Sequence, residues 1–384
     1  MSRDKRKSLI EQIETARKSK VIVFICGDRP LASTVIADDS IRPMYEHLRS
    51  LNPKPERLDL YLYSLGGAMQ TPWKIVTMLR EFCKEFSVIV PYKAYSGATM
   101  IALGADKISM IAKSELGPID PQLFIGGRPD RPQPTPNQIG VEDIAAFITF
   151  LKQRAGLTDQ SALAGCVTAL VNSLGPAVLG SVERTYSHIR LVARKLLSLA
   201  RPPIDDKRVT AIIETLTEKT YAHGHGIGKQ EAQEIGLTVE MLEGDVAENV
   251  WNLYVEYETM LKMAGSLDPQ AYFSEGAPDL YEEKAQVFAC IESTQMLHGF
   301  KGDFRVTRVR RVPPNPTINV NVNLQLPPNL PPEQLPPQLQ QLLNQEVQRA
   351  AQQIQQLVQQ QIVQQSPIER CDAAIVGGKW EAIP

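Results

Sequence analysis

From residue 20 to residue 111, short continuous apolar runs alternate with stretches whose apolar side chains return every three or four positions. Lys20–Gly27 (KVIVFICG) and Leu58–Tyr63 (LDLYLY) are short and rich in β-branched and aromatic residues. That is the mark of strands buried on both faces. Ser87–Tyr92 and Lys107–Ile111 supply a third and a fourth strand. Between them the period changes. Residues 40–50 read as a helix, and Met69–Phe86 reads as another with Ile75, Val76, Leu79, Phe82, Cys83 and Phe86 along one side. A short helix follows Gly97 and runs through Leu103. Ahead of the first strand, residues 2–18 place Leu9, Ile10, Ile13 and Ala16 on one helical side. Strands alternating with helices at this pitch predict an α/β fold with a mostly parallel sheet.

Further on the pattern turns helical, near 141–155, 160–173, 176–200 and 206–219. A Gly/His-rich loop (Ala222-His223-Gly224-His225-Gly226) then leads to a helix at 229–235, a short strand at Leu237–Val239 and a helix at 245–262. Residues 284–326 alternate as strands do, most clearly in Phe304–Val309 and Thr317–Leu326. Proline and glutamine fill 21 of the 39 positions in Pro327–Gln365. The proline half reads as an extended linker. The glutamine half carries Leu343, Val347, Ala350, Ile354 and Leu357 at spacings of four and three, a short coiled-coil-like stripe. The expected layout is therefore an α/β domain over 1–245, a helix plus β-rich extension over 246–326, and a tail over 327–384.

Composition narrows the function classes. Forty-one basic residues against 43 acidic ones leave a charge of −2, which gives no general pull toward nucleic acid or anionic membrane. The longest uninterrupted apolar run, Val21–Cys26, is far short of the ~20 residues that span a bilayer. The basic N-terminus is not followed by the apolar region of a secretory signal. Five cysteines at 26, 83, 166, 290 and 371 show no short spacing, which reads as reduced thiols in a cytoplasmic protein.

Two glycine-containing turns carry the candidate chemistry. Tyr63-Ser64-Leu65-Gly66-Gly67 and Ala94-Tyr95-Ser96-Gly97 each end a strand and open a helix, so backbone N–H groups are exposed at a helix start. Acyl transfer needs a positioned nucleophile and N–H donors aimed where an oxyanion forms. A serine before a helix is more often an N-cap, and a Gly-Gly after a strand more often a plain turn.

The ordered set of motifs resembles a known group. Tyr63–Gly67, then Ser96-Gly97-Ala98, then Ile101-Ala102-Leu103-Gly104-Ala105-Asp106-Lys107-Ile108 look like the Clp protease and signal-peptide-peptidase-A superfamily. Within it the chain most resembles the serine dehydrogenase proteinase family, through Leu116-Gly117-Pro118-Ile119-Asp120-Pro121-Gln122 and Tyr221-Ala222-His223-Gly224-His225. The similarity spans roughly residues 8–240. It implies a Clp/crotonase-like fold, Ser96 as nucleophile, and oxyanion donors from Gly97 and the Gly66/Gly67 turn. It also implies a peptide or protein substrate and assembly as a homo-oligomer. No histidine lies in Ser114–Gln122, so a Clp-type triad is not expected, and the signal-peptide-peptidase branch suggests a Ser-Lys dyad. Ser114 resembles a position that orients the dyad lysine in that branch.

Helical geometry nominates Lys152. On a helix from Val141, the residues Val141, Ile144, Ala145, Ile148 and Leu151 share a face, and Lys152 falls about 20° from Val141. An ammonium held among apolar neighbours loses its proton more readily, as an amine base requires. The competing reading is a lysine in a last helical turn that snorkels outward. His223 or His225 is the alternative base, and His-x-His without carboxylate or Cys partners is a weak metal signal. No cofactor or metal is expected. The sequence has no P-loop, so any ATP-driven unfolding would come from a partner. Two rivals share the fold: a crotonase-type acyl-CoA enzyme and a non-catalytic oligomeric scaffold.

Overall fold

The computed structural model describes residues 3–120, 122–125, 137–219, 224–312 and 336–384. The first part of the chain runs α1 (Arg3–Arg17), β1 (Lys20–Cys26), α2 (Ile41–Ser50), β2 (Arg57–Tyr63), α3 (Thr71–Arg80), β3 (Glu85–Val90), β4 (Lys93–Ala94), α4 (Gly97–Leu103), β5 (Lys107–Met110) and β6 (Glu115–Leu116). A hairpin of β7 (Gln122–Ile125) and β8 (Asn137–Gly140) precedes α5 (Val141–Thr149), α6 (Gln160–Leu174), α7 (Pro176–Leu197), α8 (Asp206–Glu214), α9 (Lys229–Ile235), β9 (Val239–Met241) and α10 (Gly244–Met260). The remainder is β10 (Leu280–Glu292), β11 (Leu297–Arg310), α11 (Pro337–Gln365) and β12 (Ile368–Ile383). The chain forms two units, one of Met1–Gly265, Lys284–Asp303 and Val376–Pro384, the other of Ser266–Glu283 and Phe304–Ile375.

In the larger unit β1, β2, β3, β5 and β9 pair in parallel, and the end of β10 lies antiparallel on β1. The register aligns Ile22 with Leu60, Leu60 with Val88, Val88 with Ile108 and Ile108 with Val239. Because side chains alternate across a strand, this row faces one core while its neighbours face another. Ile22, Phe24 and Cys26 pack with α2, α3, α4, α7 and α8 through Met44, Ile75, Ile101, Leu196 and Ile212. Val21, Val23 and Ile25 pack with α1 and α10 through Ile10, Ile13, Leu253 and Tyr257. Burying each such side chain contributes about 1.5–3 kcal/mol, and both faces are covered, as a parallel sheet requires. The fold is the mixed α/β, mostly parallel arrangement that the sequence pattern predicts.

The departures have physical causes. α3 stops at Arg80, not at 86, because the amides of Glu81 and Phe82 turn back to Met78 and Leu79 while those of Lys84 and Glu85 bond Glu56 O and open β3. The helix expected at 245–262 is α10, which packs on α1 in the larger unit. A boundary at 245 therefore falls inside one folded element. The last residues of the tail expected over 327–384, Val376–Pro384, belong to the larger unit. Trp380 in β12 sits 6.4 Å from Phe24 and 5.8 Å from Phe300, within the larger unit. The strand pattern at Thr317–Leu326 and the proline linker up to residue 335 lie outside the described residues. α11 forms as a helix, with Leu343, Val347 and Ala350 half-buried and Ile354 and Leu357 exposed. Among the described residues no single helix is long and apolar enough to cross a membrane; α6 and α7 pass together only as a pair bent by 98°.

Candidate active site

β2 and β3 end side by side; the first glycine turn leaves from the carboxyl end of β2 and the second from the short β4 that follows β3, at the end of the sheet where open α/β folds place ligands. The turns are stitched together by Ser64 N bonding Lys93 O at 3.1 Å and Tyr95 N bonding Ser64 O at 3.0 Å. On the other side, Ile36 N bonds Gly66 O and Ala68 N bonds Ile36 O, both at 2.8 Å. This double clamp explains the glycines. Gly66 and Gly67 have φ of 118° and 152°; a Cβ on Gly66 would lie 2.7 Å from Ser96 Cβ, and one on Gly67 would lie 2.1 Å from Ile36 O. Only a residue without a Cβ permits these approaches.

Ser96 is held in a conformation that L residues rarely adopt, with φ 51° and ψ −112°. Such a residue costs about 1–3 kcal/mol and persists only where its surroundings over-determine it. Here Ala98 N bonds Tyr95 O, Met100 N bonds Ser96 O, and the buried Thr99 hydroxyl bonds both Ala94 O and Gly117 O. α4 behind it is buried along its whole length. Ser96 itself is 8% exposed, and its hydroxyl donates to Met69 Sδ at 3.7 Å.

The amides nearby divide into engaged and available. Gly66 N donates to Ser64 Oγ at 3.0 Å, so the expectation of Gly66 as an oxyanion donor is corrected. Among the described residues neither Gly67 N–H nor Gly97 N–H has an acceptor, and a Cβ on Gly97 would stand 3.3 Å from Gly67 N. Two neighbouring amides beside one serine hydroxyl can take a developing negative oxygen.

Other expected residues fall elsewhere. Lys152 lies in a π-helical turn, Phe150–Arg154, that follows α5, and it is exposed while Leu151 is buried. Ala155 N reaches Phe150 O in this wider turn, and the apolar stripe of α5 is itself not a buried face, with Ala145 exposed and Ile144 and Ile148 half-buried, so a lysine in phase with it is not desolvated. Burial of Lys152 is therefore corrected, and with it the desolvation argument. Ser114 is committed to the backbone, accepting from Ile111 N at 2.7 Å and donating to Val90 O at 2.5 Å; it locks the turn after β5 and has no free hydroxyl to orient a lysine. His223 lies outside the described residues. His225 is described, with Nε2 2.8 Å from Glu231 Oε1.

Three participants escaped sequence reasoning. Tyr95 bonds Glu115, and burial together with that carboxylate pushes its phenol well above the usual range. Leu116 and Ile227 exchange backbone bonds at 2.9 and 2.8 Å, bringing the His225 loop alongside. A Cβ on Gly226 would lie 2.4 Å from Glu115 Oε2 and 3.5 Å from Tyr95 Oη. The third is Met69, whose position two residues past a strand-ending Gly-Gly was the available signal.

The clamped turns, the strained serine and the two amides without an acceptor among the described residues lie together at one end of the sheet. Residues 1–130 match the family described as ClpP-like SDH-type serine proteinase, which supports a serine peptidase. Two uncharacterized proteins of Methanocaldococcus jannaschii are each 26% identical to the chain. One is matched over 277 residues (70% of this chain and 83% of the relative), the other over 244 (61% and 71%). Among solved structures, a mutant form of the 1510-N membrane-bound stomatin-specific protease overlaps 56% of this chain and 77% of its own at 15% identity, with a TM-score of 0.34. An enoyl-CoA isomerase from M. smegmatis overlaps 65% and 87% at 12% identity, with a TM-score of 0.25. Overlaps this loose carry neither protein's activity to this chain.

Proposed function

We propose that the chain is a serine peptidase that cleaves peptide bonds through an acyl-enzyme formed on Ser96. The observation that carries this reading is the strained Ser96 set beside two amides, Gly67 N–H and Gly97 N–H, that have no acceptor among the described residues. Ser96 Oγ attacks the scissile carbonyl, the two amides take the resulting oxyanion, and a base removes and later returns the hydroxyl proton. With Lys152 exposed, His225 becomes the first candidate for that base. Its imidazole is oriented by Glu231, and its loop is tied to the Tyr95–Glu115 pair next to the nucleophile. An orienting carboxylate behind a histidine base is the triad logic in general form. Homo-oligomeric assembly, a cytoplasmic location and action without metal or cofactor belong to the same proposal.

The test is a peptide-library digest read by mass spectrometry, together with fluorophosphonate labelling of the intact protein. Wild type should cleave and take the label on Ser96, and Ser96→Ala should do neither while keeping its circular dichroism. Equal digestion by both proteins would sink the reading, and thioester turnover surviving in Ser96→Ala would favour a crotonase. His225→Ala should lose cleavage where Lys152→Ala retains it. The reverse result restores the lysine.

A further inference from the structure

The hydroxyl of Ser96 rests on sulfur. Met69 Sδ accepts from Ser96 Oγ at 3.7 Å, a side-chain partner made of sulfur and not oxygen. Met69 is placed there by the same clamp that fixes the glycine turn, since Ala68 is bonded to Ile36 and α3 starts at Thr71. A thioether is a weak, polarizable acceptor, so it holds the hydroxyl loosely and releases it to a base at little cost. It is also a side chain that peroxides oxidise and cellular reductases restore. Met44, Met100 and Met110 are fully buried, whereas Met69 is half-buried.

We propose that Met69 is a reversible oxidation site that switches Ser96 off. A hydroperoxide transfers its terminal oxygen to Met69 Sδ. The peroxide O–O bond breaks, the S–O bond forms, and the proton of the transferred OH passes to the leaving oxygen, so hydrogen peroxide departs as water. Sulfur is oxidised by two electrons and the peroxide is reduced by two. The sulfoxide oxygen is a strong acceptor within reach of Ser96 Oγ. It captures the proton that the base must remove. It also sets a negative oxygen near the Gly67 and Gly97 amides, where the oxyanion has to form.

The inference rests on Ser96 being the nucleophile, and the experiment separates the two. Full-length wild type and Met69→Leu are treated with hydrogen peroxide, sulfoxide is located by peptide mass, and fluorophosphonate labelling of Ser96 is compared with each protein's own untreated rate. Wild-type labelling should fall by about tenfold or more, the factor for one ordinary hydrogen bond that must first break. Methionine sulfoxide reductases should restore it, and Met69→Leu should keep its untreated rate. Unchanged labelling of wild type carrying Met69 sulfoxide, or equal loss in Met69→Leu, would overturn the switch. Protection of Met69 from peroxide would do the same. If untreated wild type takes no label on Ser96, the peptidase reading itself fails and the switch falls with it.

Discussion

Acid should loosen the larger unit through one histidine. His47 on α2 is fully buried, with Nδ1 2.9 Å from Ser293 Oγ and Nε2 3.1 Å from His298 Nδ1; His298 in turn meets Glu46 Oε2 at 3.0 Å. Burial first, then the His298 ring, push the His47 pKa down to about 3; Arg3 adds to this, and the backbone of Ile291 opposes it. In the unfolded chain the value returns to about 6.5. Between these two values the unfolded state binds the extra proton, so stability falls as pH drops through that window and levels off below about pH 3. At about 1.4 kcal/mol per unit, going from about pH 7.5 to about pH 5 costs on the order of 2 kcal/mol from this site. The perturbation is His47→Gln, which removes the titration, and the assay is urea unfolding followed by circular dichroism at both pH values. Glutamine carries its own cost at either pH, so the quantity that matters is the difference between the two. That difference should be about 2 kcal/mol smaller in the variant than in wild type. Equal pH dependence in the two proteins, within about 0.5 kcal/mol, would refute a neutral, desolvated His47.

Gly67→Ala should cost several kcal/mol or misplace the turn, because its Cβ would lie 2.1 Å from Ile36 O. A large drop in melting temperature together with loss of Ser96 labelling checks this. Arg17→Ala should destabilise by about 3–5 kcal/mol, since it leaves Asp59, 1% exposed and 2.6 Å from Arg17 Nε, buried without its cation. Arg17→Met with Asp59→Leu should recover much of that loss in the same unfolding assay. Ile354→Lys with Leu357→Lys should lower the mass measured by light scattering across a dilution series if α11 serves assembly, and an unchanged dissociation midpoint removes that role. Deleting the tail after Val312 is the poorer experiment, because it also removes Trp380 from the core beside Phe24.

Much of the sheet was legible because parallel strands covered on both faces must be nearly continuous apolar runs, and β1, β2, β3 and β5 are such runs. Ser96, the proposed nucleophile, was picked out by the ordered motifs around it and their resemblance to a known family. Small residues had to stand where Gly67 meets Ile36 and Gly66 meets Ser96, and those contacts are what hold the serine in its strained conformation. β12 was not legible. Its Cys371–Ala374 stretch and double glycine read as a tail, and it is anchored by contacts such as Trp380 on Phe24, more than three hundred positions away in sequence.

The misplacement of Lys152 comes from a different source and says where periodicity stops being informative. A helical wheel assumes one rise and one rotation per residue, and in α5 it places the apolar residues on one side of which only Val141 is buried. At Phe150 the bonding switches to i→i+5, but only two residues separate Phe150 from Lys152, too few to carry it off the apolar side, so its exposure follows from the stripe being uncovered. α5 was also a poor ruler, because Ala145 is exposed and Ile144 and Ile148 are only half-buried, so its apolar stripe does not mark a buried face. The wheel thus answered which residues share a side, not which side is dry. Around Ser96 the backbone is fixed by close approaches that only glycine allows, and steric exclusion fixes position where hydrophobic period fixes only direction.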